Sequence, residues 1–158
     1  MRATVLGIAL VLVTLVGCSG GDDEKPGNTG GNSTTNNDCE GRSETFSAGM
    51  TKQAEGGAVN VELVKSDIAP PGQGINTWTL RLTDSGGEPI AGAAVVASFK
   101  MPDHTHPAQQ KDGKETESGT YEVAPYFSMP GFWETTVTVT PSGGTPSSVL
   151  FSFCIAQD

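Results

Sequence analysis

From Val59 onward the chain alternates between apolar and polar positions. Val59, Val61 and Leu63 are separated by Asn60 and Glu62, and Trp78, Leu80 and Leu82 by Thr79 and Arg81. Trp133, Val137 and Val139 share one parity against Glu134, Thr136 and Thr138. Val149, Phe151, Phe153 and Ile155 alternate with Ser152 and Cys154. A period of two, with β-branched and aromatic residues on the apolar side, marks half-buried antiparallel strands. Ala91 to Phe99 alternates less cleanly and predicts a further strand, buried on both faces in part. Pro70-Pro71-Gly72, Asp84-Ser85-Gly86-Gly87, Met129-Pro130-Gly131 and Pro141-Ser142-Gly143-Gly144 supply turns between these runs. No helical period appears after residue 18. The pattern predicts an all-β fold, an immunoglobulin-like antiparallel sandwich of about seven to eight strands over residues 38–158.

The first residues follow a different rule. Met1-Arg2 carries a positive charge, and Val5 to Val16 is apolar except for Gly7 and Thr14. That stretch is too short to stay in a bilayer as a helix and reads as a signal peptide over residues 1–17. It ends in Leu15-Val16-Gly17-Cys18, which resembles a bacterial lipobox rather than an Ala-x-Ala cleavage site. The resemblance implies a diacylated Cys18 as the mature N-terminus, anchored in a membrane by its acyl chains. The alternative is an ordinary signal peptide with a chance cysteine. Ser19 stands where lipoproteins retained at the inner membrane usually carry Asp, which points to the outer membrane, facing the periplasm or the cell surface. After Cys18, residues 19–37 are mostly Gly, Asn, Ser and Thr, with nothing to anchor a core. Such a stretch is a disordered tether, with an end-to-end distance of roughly 25 Å.

Charge and cysteine usage narrow the classes. The 158 residues fit one domain with appendages, and no repeat is visible. With 18 acidic and 9 basic residues the net charge is −9, without a basic cluster, so a nucleic-acid partner is not expected. If Cys18 is lipidated, Cys39 and Cys154 remain as a pair in an oxidising compartment. A disulfide between them would link the two ends of the folded region, worth about 4–5 kcal/mol at most in the chain-entropy model. Strand parity puts Cys154 opposite in facing to Phe151 and Phe153, so the bridge would clip the N-terminal segment to the outer side of the last strand. A catalytic or metal-binding thiol is the competing reading, and neither Cys has a Cys-x-x-Cys or His neighbour.

Two segments carry candidate chemistry. Residues 101–107 read Met-Pro-Asp-His-Thr-His-Pro and residues 129–133 read Met-Pro-Gly-Phe-Trp. Both histidines of the protein lie here, and apart from Met1 and Met50 so does every methionine. Thioether plus imidazole favours copper, the sulfur drawing Cu(I) and the imidazole either oxidation state. His104 and His106, two apart, face the same way on extended backbone. Zinc could use the same imidazoles but lacks its usual third and fourth protein ligands. Met129 can join them only if Ala108 to Glu117 crosses the length of the sandwich, turns at Ser118-Gly119 and returns through Tyr121, Val123 and Phe127. Ten extended residues span roughly 33 Å, which suffices. The bland reading is a solvated His-Thr-His loop flanked by strand-end methionines. Enzyme activity is not expected: Ser128, His104 and Asp103 form a triad on paper, but no nucleophile elbow supports it.

Gly86-Gly87-Glu88-Pro89-Ile90-Ala91-Gly92-Ala93, Met101-Pro102-Asp103-His104, Gly119-Thr120-Tyr121 and Phe127-Ser128-Met129-Pro130-Gly131-Phe132-Trp133 resemble the YtkA-like family, related to FixH-type domains. The resemblance spans about residues 56–155 and implies an exported or membrane-tethered β-sandwich with copper handling as its suggested role. Two expectations follow. One is a copper-binding envelope lipoprotein using His104 and His106, with Met101 and Met129 as thioether ligands and Trp133 covering the site. The other is a structural or interaction module that binds an envelope protein or a polysaccharide without metal.

Overall fold

A computed structural model describes residues 39–157. The signal peptide, Cys18 and the tether lie outside the described residues. Among the described residues eleven strands run in chain order: β1 Met50–Gln53, β2 Val59–Ser66, β3 Gly74–Ile75, β4 Trp78–Asp84, β5 Ala94–Lys100, β6 Gln109–Asp112, β7 Lys114–Glu117, β8 Thr120–Val123, β9 Tyr126–Phe127, β10 Gly131–Thr140 and β11 Ser147–Ile155. All pairings among them are antiparallel. One sheet has the order β1-β2-β4-β8-β7, the second β11-β10-β5-β6, and β3 pairs with β9 in a short ribbon.

The alternating runs form the expected strands, and their apolar sides meet between the sheets. Val59, Val61, Leu63, Trp78, Leu80 and Leu82 from the first sheet face Ala97, Phe99, Val137, Val139, Phe151 and Phe153 from the second, all within one buried cluster. Trp78 is its centre, with ring centroids 6.1 Å from Phe127, 6.0 Å from Phe151 and 5.7 Å from Phe153. The contacts with Phe151 and Phe153 are edge-on and the one with Phe127 is tilted, and such aromatic pairs add to the stabilisation from burial alone.

Three features differ from the sequence expectation in detail. The strand count is higher because of the two-residue ribbon β3–β9 and because the crossing segment divides into β6 and β7. The run from Ala91 begins its strand only at Ala94 and then alternates cleanly. Its first residues are held in a loop by Tyr121, whose hydroxyl donates to the Ile90 carbonyl (3.0 Å) and accepts from the Ala93 amide (2.9 Å). The crossing itself occurs, but with a change of sheet. β6 pairs with β5, and β7 pairs with β8 on the other sheet. Gly113 makes the switch: a Cβ there would stand 2.8 Å from Val95 Cβ and 3.0 Å from Val123 Cγ1, so only glycine lets the backbone pass between them.

The Cys39–Cys154 disulfide is formed, with Cα atoms 5.6 Å apart and a sequence separation of 115. Cys154 lies opposite Phe132 across β10 and β11, on the face away from the core. There the N-terminal segment runs along β11. The Glu44 amide donates to the Ser152 carbonyl (2.7 Å), and the Ser152 amide donates back to the Glu44 carboxylate (3.0 Å). Lys52 of β1 bonds both Glu44 and the Leu150 carbonyl, tying the neighbouring edges of the two sheets.

Candidate functional site

One pole of the sandwich gathers the two methionine segments. β5 ends at Lys100, and residues 101–108 loop back to β6. The loop opens with a turn in which the His104 amide donates to the Met101 carbonyl over 3.2 Å. His104 and His106 are both exposed, with rings stacked 6.1 Å apart between centroids and 22° between planes. The backbone between them is a turn and bends rather than a strand, so their closeness comes from the loop and not from the alternation of extended backbone.

The second segment arrives at the same pole from β9. Trp133 Nε1 donates to the Met129 carbonyl over 3.0 Å and so fixes the turn that carries Met129. The indole is only 5% exposed and packs on Phe127, 5.3 Å between ring centroids. Trp133 therefore lies beneath the pole, in its floor, and not over it as a cover. Gly131, with φ +126°, lets Met101 in: a Cβ there would stand 2.7 Å from the Met101 methyl. Met101 and Met129 are both half-buried and pack against the core.

Met101, His104, His106 and Met129 all line one cavity of about 340 Å³, together with Phe99, Lys100, Pro107, Gln109, Ser128 and Trp133. The lining thus holds two imidazoles and two thioethers, and no carboxylate. Among the described residues no three His, Cys, Asp or Glu side chains cluster as a metal-ligand set. Lys100, at the rim, is paired with Glu134 at 3.6 Å. Asp103, adjacent to His104 in sequence, is engaged by Arg42 Nη1 at 2.6 Å and Nη2 at 3.3 Å. Cys39 and Cys154 lie apart from this lining, in their disulfide.

Sequence reasoning singles out the two imidazoles and two thioethers of the lining but misses what holds them. The Trp133–Met129 bond has a trace in the sequence, since both lie in one short motif. The Arg42–Asp103 pair has none, because its partners are 61 residues apart and meet only through the fold.

Fold and site together describe an antiparallel β-sandwich with a methionine- and histidine-lined cavity at one pole. The family model described as YtkA-like matches residues 51–138, more than half of the chain, and the protein belongs to that family. That span contains the whole cavity lining but neither disulfide cysteine. No curated protein matches the chain. Among solved structures, the chain is similar to the PmoD soluble domain from Methylocystis sp. (Rockwell), at 15% identity and a TM-score of 0.40, over 54% of this chain and 75% of that one.

Proposed function

We propose that this YtkA-like domain is the copper-binding head of an envelope lipoprotein, held at the membrane through Cys18 and binding one copper ion in the cavity at this pole. The observation that carries the reading is the convergence of Met101, His104, His106 and Met129 on one cavity from two segments far apart in sequence. The donor chemistry fits. Two imidazoles and two thioethers without a carboxylate suit a soft or borderline ion and suit Mg²⁺ or Ca²⁺ poorly. The two imidazole centroids stand 6.1 Å apart, inside the outer limit of about 6.5 Å for two imidazoles that share one ion at the zinc–nitrogen distance of about 2.0–2.1 Å. The ion would be held by His104 and His106, with Met101 and Met129 adding affinity for the cuprous state. The polypeptide's own part is to keep the two thioethers half-buried and the two imidazoles accessible.

The test is a competition titration with Cu(I) and Cu(II). The double variant His104→Ala/His106→Ala should lose affinity for both ions. Met101→Ala and Met129→Ala should each cost more for Cu(I) than for Cu(II), because thioethers discriminate by oxidation state. Wild-type protein that binds neither ion better than the double variant removes the copper reading. The anchor is tested separately by fractionating cells that express wild type or Cys18→Ala; equal solubility of the two would end that part.

A second reading, a metal-free interaction module, draws on one observation. Ile75 and Tyr126, directly paired across β3 and β9, are 62% and 40% exposed. An exposed aromatic beside an exposed aliphatic side chain suits a contact with protein or sugar. Retained partner capture in the double histidine variant would favour it.

A further inference from the structure

We propose that Arg42 is a positioning residue for the histidine loop, a clamp anchored by the Cys39–Cys154 disulfide that fixes the conformation in which His104 and His106 share the cavity. The consequence for metal affinity rests on the copper reading above; the clamp itself does not.

The chain of contacts starts at the disulfide. Cys39 is 5% exposed, and its carbonyl accepts from the Arg42 amide (3.1 Å), the Ser43 amide (3.2 Å) and the Ser43 hydroxyl (3.2 Å). This tight turn projects the Arg42 side chain from a covalently fixed base. The Ser152 hydroxyl donates to the Arg42 carbonyl over 3.3 Å, so the backbone of the turn is also held to β11. The guanidinium then lies 4.1 Å from the centroid of the Phe132 ring, on the outer face of β10. From there it reaches both oxygens of Asp103.

An exposed ion pair usually contributes little, because two long side chains must be ordered to make it. Here most of that ordering is already met. The disulfide and the Cys39 turn fix the base of Arg42, the Phe132 ring supports its plane, and the carboxylate is gripped at both oxygens. The grip matters for what it restrains. Inside the loop, the only backbone bond among the described residues is His104 to Met101. Neither imidazole has a hydrogen-bond partner among the described residues. Among those residues the Arg42–Asp103 pair is therefore the one ion pair or side-chain hydrogen bond between the crest of this loop and another part of the fold. Both Arg42 and the disulfide lie outside the residues matched by the family model, so the clamp is built on this chain's own flanks.

The experiment compares full-length wild type with Arg42→Ala, Asp103→Asn, the double variant, and the swapped pair Arg42→Asp/Asp103→Arg. Hydrogen exchange of the peptide covering residues 101–108 is followed by mass spectrometry without metal, and Cu(I) affinity by competition. Each single variant should speed exchange in this peptide, the double variant should be no worse than either single, and the swap should restore part of the protection. Cu(I) affinity should fall about tenfold in the single variants, the size expected when a group that orients a ligand is lost. Exchange unchanged in both single variants, or single effects that add in the double variant, overturns the clamp. A loosened loop in a protein that binds no copper keeps the clamp and removes only the metal reading. Intact copper binding with an unchanged loop does the reverse. Cys39→Ser/Cys154→Ser should reproduce the loosening if it folds, and the Arg42 variants decide the matter if it does not.

Discussion

The two poles of the sandwich are built to opposite standards. At the far pole, where β4, β7 and β10 end, the loops that follow β4 and β7 are fastened by side-chain acceptors. Asp84 Oδ1 accepts from the Gly86 and Glu88 amides (2.8 and 2.9 Å), and Glu115 accepts from Gly92 and Gly119 (2.9 and 3.2 Å). Tyr121, 1% exposed, closes the Ile90–Ala93 loop with a donated and an accepted bond. At the cavity pole the floor is as firm, with Trp133, Phe127 and Phe99 in ring contact, yet the histidine loop above it is exposed and nearly untied. The difference shows where the fold spends its polar groups. The far pole uses them on its own backbone, whereas at the cavity pole two imidazoles have no hydrogen-bond partner among the described residues. Groups whose bonding capacity is left open on a rigid base are how binding sites differ from structural loops.

The largest break in this comparison should come from the disulfide. Cys39→Ala/Cys154→Ala should lower stability by about 2–5 kcal/mol in denaturant unfolding. Hydrogen exchange in the same variant should rise at the cavity pole while the 84–93 loop stays protected. Uniform loosening of both poles would contradict the assignment of the bridge to one of them.

Tyr121→Phe strikes the other pole. It leaves the Ala93 amide and Ile90 carbonyl without their partner, at a cost of about 1–3 kcal/mol. The copper affinity proposed for the cavity should not move, since Tyr121 is not in its lining. Burial, with a smaller push from Glu115 and against the bond from Ala93, raises the pKa of this phenol above its usual value. A group raised on folding adds stability that is present below its unfolded pKa and is lost as pH climbs through the folded one. Wild type should therefore lose stability more steeply than Tyr121→Phe above about pH 10.

Gly131→Ala tests the cavity pole from within. At φ +126° the new side chain is strained, by about 1–3 kcal/mol, and its Cβ collides with the Met101 methyl. Cu(I) affinity should fall with little change for Cu(II), since Met101 is displaced while both histidines stay. Equal losses for the two ions would mean that Met101 is packing and not a ligand.

How much of the molecule is legible in the amino-acid sequence depends on the range of the interaction. The parity of β2, β4, β10 and β11 exposes the core directly, because a half-buried strand writes its facing into alternate residues. The same rule places Cys154 on the outer face. That the chain has room to bring Met129 to the histidines is a matter of length alone. The change of sheet at Gly113 is not legible, since a glycine between two polar runs looks like any turn until Val95 and Val123 stand on either side of it. The late start of β5 is hidden likewise, because Tyr121, which delays it, is 28 residues from Ala93. Arg42 reads in the sequence as one more surface charge. Nothing local to it names Asp103 as its partner.

The smallest effect concerns the loop that adjoins the ribbon β3–β9, which lies at the cavity pole but, unlike the histidine loop, is fastened in the manner of the far pole. Asp67 Oδ1 accepts from the Ile68 amide (2.9 Å) and the Thr77 amide (2.6 Å), closing a loop whose Asp67 amide in turn donates to the Thr77 carbonyl (3.0 Å). Desolvation pushes the carboxyl upward, but the bonds from Thr77 and Ile68 outweigh it and hold its pKa below 3.8. The sign follows from which state binds the proton more weakly. With a lower pKa when folded, Asp67 stabilises the protein above its unfolded value of about 3.9, and the contribution fades as pH falls through the folded one. The carboxylate is exposed, so solvent screening keeps the effect small. Asp67→Asn should unfold at a slightly lower urea concentration than wild type at pH 7, with the gap narrowing as pH is taken below about 4. A gap that stays constant down to about pH 2 would mean that the loop is held by the shape of the side chain and not by its charge. The copper affinity proposed for the cavity should be the same in both proteins, because Asp67 is not part of the cavity lining.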